Sequence, residues 1–229
     1  MKSKKFMLFM VFALAVSLSA AAVILYGYTI ELPKTGQTGC WDEAGVSRAC
    51  AGTGEDADAT KPGGIAGAAW PASRFTVATS TITDTLTGLM WVRAANTLGV
   101  TSGGADCSAA GARNWQNALK YVKCANAASY LGYTDWRLPN VLELNSLYNV
   151  GIKANDTDWF PNVGGTGIGF TGVQVNYYWA ADTYIAQPAK PWAVHFRLAY
   201  IREGGAGSAG DAIKTTGLYY IWPVRGGSI

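Results

Sequence analysis

The chain has 229 residues, of which 49% are hydrophobic and only 14% charged, with 28 glycines. That is enough apolar material for a sizeable core and too little charge for an intrinsically disordered chain. Lys2, Lys4 and Lys5 account for the whole formal charge of +3, so the rest has no basic surplus of the kind that holds nucleic acid by counterion release.

Residues 1–30 have the layout of an export signal. A Lys-rich start leads into an uncharged run over residues 6–26 that contains the small residues Ser19, Ala20, Ala21 and Ala22. Cleavage after Ala20 or Ala22 is one expectation. A retained anchor is the other, because at ~1.5 Å per helical residue a run of this length crosses a bilayer core of roughly 30 Å. Either way the Lys-rich end stays inside and the chain from Glu31 onward is exported, to the periplasm, the cell surface or the medium. Membrane contact is then expected only through an uncleaved anchor. The string Leu32-Pro33-Lys34-Thr35-Gly36 matches a sortase signal, but it lies just after the leader instead of before a C-terminal apolar tail, and it reads as extended chain.

Residues 31–72 are rich in Gly, Ala, Asp and Thr and read as a loop segment. Four cysteines in an exported chain, Cys40, Cys50, Cys107 and Cys124, point to disulfides. Three pairings are possible. Cys40–Cys50 and Cys107–Cys124 are favoured because each closes a short loop, for which the entropy model gives roughly 3 kcal/mol. No CxxC pair supports zinc. Two acidic clusters, Glu55 with Asp56 and Asp58, and Asn155 with Asp156 and Asp158, carry the hard oxygen donors that suit Ca²⁺. Asp56 and Asp58 are the candidate ligands, and the alternative is that these groups cap turns.

Regular structure is expected over residues 73–229. Short strands are predicted over residues 74–78, 81–83 and 88–92. Trp115, Ala118, Leu119, Val122 and Ala125 fall at helical spacing within residues 114–128, with Cys124 opposite that stripe. A second helix of about ten residues follows Pro139, with Asn140 and Glu143 placed to form a capping box. Later strands are predicted over residues 177–181, 192–197 and 217–225. Helices early and an antiparallel, aromatic-rich sheet late make an α+β fold. Trp91, Trp115 and Trp136 are expected in the core, and Arg137 is expected to pair with Asp135, Asp84 or Glu143.

No enzyme is expected. His195 is the single histidine and lies in an alternating strand, no GxSxG elbow is present, and Gly165-Thr166-Gly167-Ile168-Gly169 is not followed by a helical pattern.

The strings Thr35-Gly36-Gln37-Thr38-x-Cys40, Cys50-Ala51-Gly52-Thr53-Gly54, Asp84-x-x-Thr87-Gly88-Leu89-Met90-Trp91, Trp115-x-x-Ala118-Leu119, Asp135-Trp136-Arg137-Leu138-Pro139-Asn140 and Val224-Arg225-Gly226-Gly227 occur in that order. Together they resemble the Lcl C-terminal domain family, a domain of unknown function named after a collagen-like bacterial adhesin. The resemblance runs from about Thr35 to Gly227. It implies a C-type-lectin-like fold and an adhesive module, since the namesake binds sulfated glycosaminoglycans.

The functional expectation is therefore an exported, non-enzymatic module that binds a glycan or an extracellular surface partner. The candidate surface comprises Tyr184, Trp192, Arg197, Tyr200 and Arg202, because a flat aromatic ring beside an arginine fork suits the apolar face and hydroxyl edge of a sugar. Alternation places Trp192 with Val194 and Phe196, so Trp192 is also a candidate core residue. The alternative is a structural subunit that uses its aromatic surface to form a homo-oligomer or to bind a protein partner.

Overall fold

The computed structural model describes residues 33–65, 67–70, 73–96, 100, 110–149, 168–196, 200–203 and 213–227, with only the backbone of 200–203. All of them belong to one compact unit, Glu31–Ile229. The export segment lies outside the described residues, among which no helix is long and apolar enough to cross a membrane.

The N-terminal segment contains a minimal hairpin of β1 (Cys40–Trp41) and β2 (Ser47–Arg48), in which Cys40 lies opposite Arg48. The Cys40–Cys50 disulfide closes it, with the Cα atoms 5.1 Å apart. Cys124 is also disulfide-bonded, whereas Cys107, its expected partner, lies outside the described residues. Turns dominate the rest, as composition predicts. Gly36, at φ +85°, shows why glycine is needed in Thr-Gly-Gln-Thr: a Cβ there would lie 2.0 Å from Asn149 Oδ1.

Strands β3 (Phe75–Val77), β4 (Thr81–Asp84) and β5 (Leu89–Val92) form an antiparallel meander, and β9 (Val224–Gly226) adds to β5. A second antiparallel sheet holds β6 (Tyr177–Thr183), β7 (Pro191–His195) and β8 (Tyr200–Glu203). The α+β class therefore holds, but the expected single late sheet is corrected to two larger sheets. The strand expected over residues 217–225 is corrected too. It breaks into lone pairings at Tyr219 and Tyr220 before β9 forms. The reason is that this segment serves different neighbours in turn: Arg113 pairs with Tyr219, Tyr178 with Tyr220, and Arg137 and β5 with Val224.

Helix α1 (Trp115–Ala127) begins where Asn114 Oδ1 accepts the backbone N–H of Asn117 at 2.9 Å. Its buried stripe is Ala118, Tyr121, Val122 and Ala125, with Trp115 and Leu119 only partly buried beside it. Helix α2 (Val141–Ser146) has the expected Asn140–Glu143 capping box but only six residues, shorter than the spacing predicts. Its N-terminus also receives Asp182, whose carboxylate accepts the Val141 N–H at 2.7 Å.

The strands near the centre of both sheets bury side chains on both faces. Leu89 and Trp91 of β5 join Tyr178, Ala180, Val194 and Trp222 in one core cluster, which α2 caps through Leu144 and Leu147. Their alternating neighbours Val92, Trp179 and Ala193 join Ile221 and α1 in the other. Trp91 and Trp136 are buried as expected, and Trp115 is half-buried. Trp222 lies at the centre: its ring meets Phe170 at 4.6 Å, Phe196 at 5.3 Å, Tyr178 at 5.4 Å and Trp91 at 5.7 Å, while its indole N–H donates to Val92 O at 2.8 Å.

Buried ion pairing accompanies this packing. Arg74 binds Asp84 through two hydrogen bonds of 2.9 and 2.7 Å, with the two side chains 3% and 0% exposed, and donates to Ser146 O at 2.8 Å. Asp84 also accepts Leu86 N and the Thr87 hydroxyl, both at 3.0 Å, which shapes the turn at Gly88, where φ is +70°. Arg137, expected to pair with one of three acids, takes Glu143 at 2.7 Å with both nitrogens. Asp135 instead takes Arg225 at 2.7 Å.

Replacing Trp222 with Ala should cost about 3–5 kcal/mol, the scale of a large aromatic lost from a closed core. Asp84→Asn should cost about as much by leaving Arg74 buried without its counter-charge. Urea unfolding of both variants measures this, and a loss under 1 kcal/mol in either contradicts the central role given to that residue.

Candidate functional site

The acidic loop comes first in the chain. Asp58 is 1% exposed, and both its oxygens are engaged. Oδ1 accepts the Thr60 hydroxyl at 2.6 Å and the Thr60 N–H at 2.8 Å, and Oδ2 accepts Gly54 N–H at 3.0 Å. These bonds, that of the Thr60 hydroxyl foremost and the Gly54 N–H next, hold the Asp58 carboxyl down to about 2, from an ordinary value of 3.8. Asp56 accepts the Thr35 hydroxyl and the Lys61 ammonium, which lower its pKa in that order. Lys61 Nζ also donates to Glu55 O at 3.1 Å and Asp56 O at 3.3 Å. Glu55 is held by Arg48 at 3.0 Å and Gln37 at 3.2 Å.

This donor set does not fit calcium. Each oxygen of Asp56 and Asp58 already has a donor, and a lysine ammonium sits among the carbonyl and carboxylate oxygens where a cation would go. Among the described residues no three His, Cys, Asp or Glu side chains are grouped for a metal ion. Asn155, Asp156 and Asp158 lie outside the described residues.

The candidate binding surface is only partly drawn together. The loop between β6 and β7 is closed by Tyr184 N to Lys190 O at 2.8 Å and Gln187 N to Tyr184 O at 3.0 Å. That closure sets the half-buried Tyr184 ring edge-on against Trp192, with centroids 5.1 Å apart. Trp192 packs against the first core cluster, in line with its alternation with Val194 and Phe196. The backbone register puts Tyr200 opposite His195 and Arg202 opposite Ala193. Arg197 lies outside the described residues. His195 is half-buried with its ring 4.6 Å from that of Tyr177, in keeping with a sheet role.

One opening escaped the sequence reading. Where β5 runs on past Val92, Arg93 lines a cleft of about 310 Å³ together with Thr79, Ser80, Tyr130, Leu131 and Thr171. The signal that could have pointed to it is an arginine with no acid at a matching position, just beyond a strand that otherwise reads as apolar.

The motifs that carried the family resemblance thus have structural partners. Asp84, Thr87 and Gly88 build a turn, Trp136 fills the core, and Arg137, Asp135 and Arg225 tie α2 and the connecting segment to the C-terminal strand. Comparison with family models matches the Lcl C-terminal domain over residues 80–225. The chain belongs to the Lcl C-terminal domain family. Lcl-type membership points to a surface or secreted, adhesin-like module, and the disulfide suits the oxidising conditions found there. A search of curated proteins finds no match.

The folded pKa of Asp58 lies below its unfolded value, so its contribution is complete above about pH 4 and is lost as pH falls through 2. Asp58→Asn should lower the melting temperature at pH 7 and flatten its acid dependence between about pH 4 and 2. Millimolar calcium should leave the wild-type melting temperature unchanged. A calcium-induced rise that disappears in Asp56→Asn with Asp58→Asn would restore calcium as a ligand.

Proposed function

We propose that this Lcl-type chain is an exported, non-enzymatic binding module with a C-type-lectin-like fold, which recognises glycan or extracellular matrix at a surface centred on Tyr184 and Trp192. The observation that carries this reading is the Tyr184–Trp192 pair itself. A closed loop holds one ring against another that is rooted in the core, so an aromatic face is presented with little conformational entropy left to lose on binding. The register of β8 pairs Tyr200 with His195 and Arg202 with Ala193, on the sheet face that alternates with Trp192, so the reading rests on the ring pair and not on donors from β8. Family membership supports the adhesive role, and α1, α2 and the antiparallel sheets are compatible with the lectin-like fold.

Self-association is the second reading. It is favoured by Ile185, which follows Tyr184 in the same loop and is 83% exposed.

Binding of the full chain to neutral and acidic polysaccharides tests the proposal. Tyr184→Ala should weaken binding by about tenfold or more, the scale of one lost aromatic anchor, with circular dichroism unchanged. If no polysaccharide binds at millimolar concentration and light scattering shows a dimer that Ile185→Asp dissociates, the self-association reading replaces it.

A further inference from the structure

Most arginines placed in detail by the fold have a carboxylate: Arg48 takes Glu55, Arg74 takes Asp84, Arg137 takes Glu143 and Arg225 takes Asp135. Arg93 differs. Its guanidinium is held by two backbone carbonyls, Nε donating to Gly169 O at 2.8 Å and Nη1 to Thr79 O at 3.3 Å, and no described acid pairs with it. The backbone of Arg93 is fixed as well, since its N–H donates to Ser80 O at 2.9 Å and its carbonyl accepts Thr171 N–H at 2.9 Å. The result is a positioned cation that no described acid compensates and whose Nη2 donors are not engaged by described residues.

Around it, the cleft offers three hydroxyls, those of Thr79, Ser80 and Thr171, none of which makes a hydrogen bond within the described structure. The opposite wall is Tyr130 and Leu131, carried by a turn in which Ser129 (φ +48°) and Leu131 (φ +54°) both adopt the left-handed conformation. For a side chain as large as leucine this conformation is rare and strained. The turn is held there by the Trp136 indole N–H donating to Tyr130 O at 2.7 Å and by Gly132 N–H donating to Ser129 O at 2.8 Å. A cavity of about 310 Å³ is at the small end of ligand sites, which hold a few directed polar groups against an apolar wall.

We propose that this cleft binds a small hydroxylated carboxylate, of the size of a single acidic sugar, with Arg93 on the carboxylate and Thr79, Ser80 and Thr171 on the hydroxyls. One guanidinium, with no lysine or second arginine among the described residues that line the cleft, balances a monoanion. Its planar fork matches a carboxylate, and the ring of Tyr130 with the side chain of Leu131 suits the C–H face of a pyranose. The site shares no residue with the Tyr184 surface and does not depend on binding there.

Titration calorimetry of the full chain with glucuronate, glucose, acetate and sulfate provides the test. Glucuronate should bind, and glucose, acetate and sulfate should each bind about tenfold more weakly or not at all. Arg93→Lys should weaken glucuronate binding about tenfold, because a point charge cannot replace the fork. Ser80→Ala should weaken it severalfold with an unchanged melting temperature, since that hydroxyl bonds to none of the described residues, and Tyr184→Ala should leave it intact. The proposal is overturned if glucuronate fails to bind at millimolar concentration, if sulfate binds as tightly, or if both cleft variants bind like wild type. Loss in Tyr184→Ala with retention in Arg93→Lys would likewise overturn it, by moving the ligand to the other surface.

Discussion

The C-terminal segment over residues 219–226 is the constraint on which the rest depends. Within a few residues it pairs with the approach to α1 at Arg113, with β6 at Tyr178, with the connecting segment at Arg137 and with β5. Two antiparallel sheets that share no strand are joined through it, and Ile221 and Trp222 point into opposite core clusters from adjacent positions. Alternation along an extended chain makes this possible, because neighbouring side chains leave on opposite sides and one short ribbon can seal two interiors.

Arginine–carboxylate pairs then fix the angles between these parts. Arg74 and Asp84 lie at the start of the meander, Arg137 and Glu143 join the connecting segment to α2, and Arg225 reaches back to Asp135. Glu143 has a double duty, since one carboxylate both completes the helix cap and takes the guanidinium. These residues make up much of what marks the chain as Lcl-type, so the family's recognisable strings describe a frame. The two proposed binding surfaces, the loop after β6 and the cleft beyond β5, lie outside those strings.

What could be read in advance follows from the range of each interaction. The capping box of α2, the turn at Gly88 and the apolar stripe of α1 are local, and spacing alone reveals them. Cys40–Cys50 is nearly local, closing a separation of 10 residues. The pairing of β9 with β5 joins residues far apart in the chain, and no periodicity in either segment specifies the partner. The Arg74–Asp84 pair was hidden for a different reason. The sequence offers Asp84 only as a partner for Arg137, and nothing in the spacing of Arg74 marks it as the competitor. At the candidate surface, alternation correctly pointed to the core packing of Trp192, whereas the edge-on Tyr184 contact depends on a loop closure that composition does not encode. The Arg93 cleft was invisible because its walls come from four separated segments, each unremarkable alone.

The position of the sealing ribbon has a consequence for the order of events during synthesis. Residues 33–203 leave the ribosome before residues 219–226, so each sheet must wait with one flank open until the last described segment arrives. The N-terminal hairpin needs nothing from that segment, and its disulfide can close as soon as the chain meets oxidising conditions. In a chain exported unfolded, such an arrangement leaves both sheets unsealed until the last described segment has followed them across.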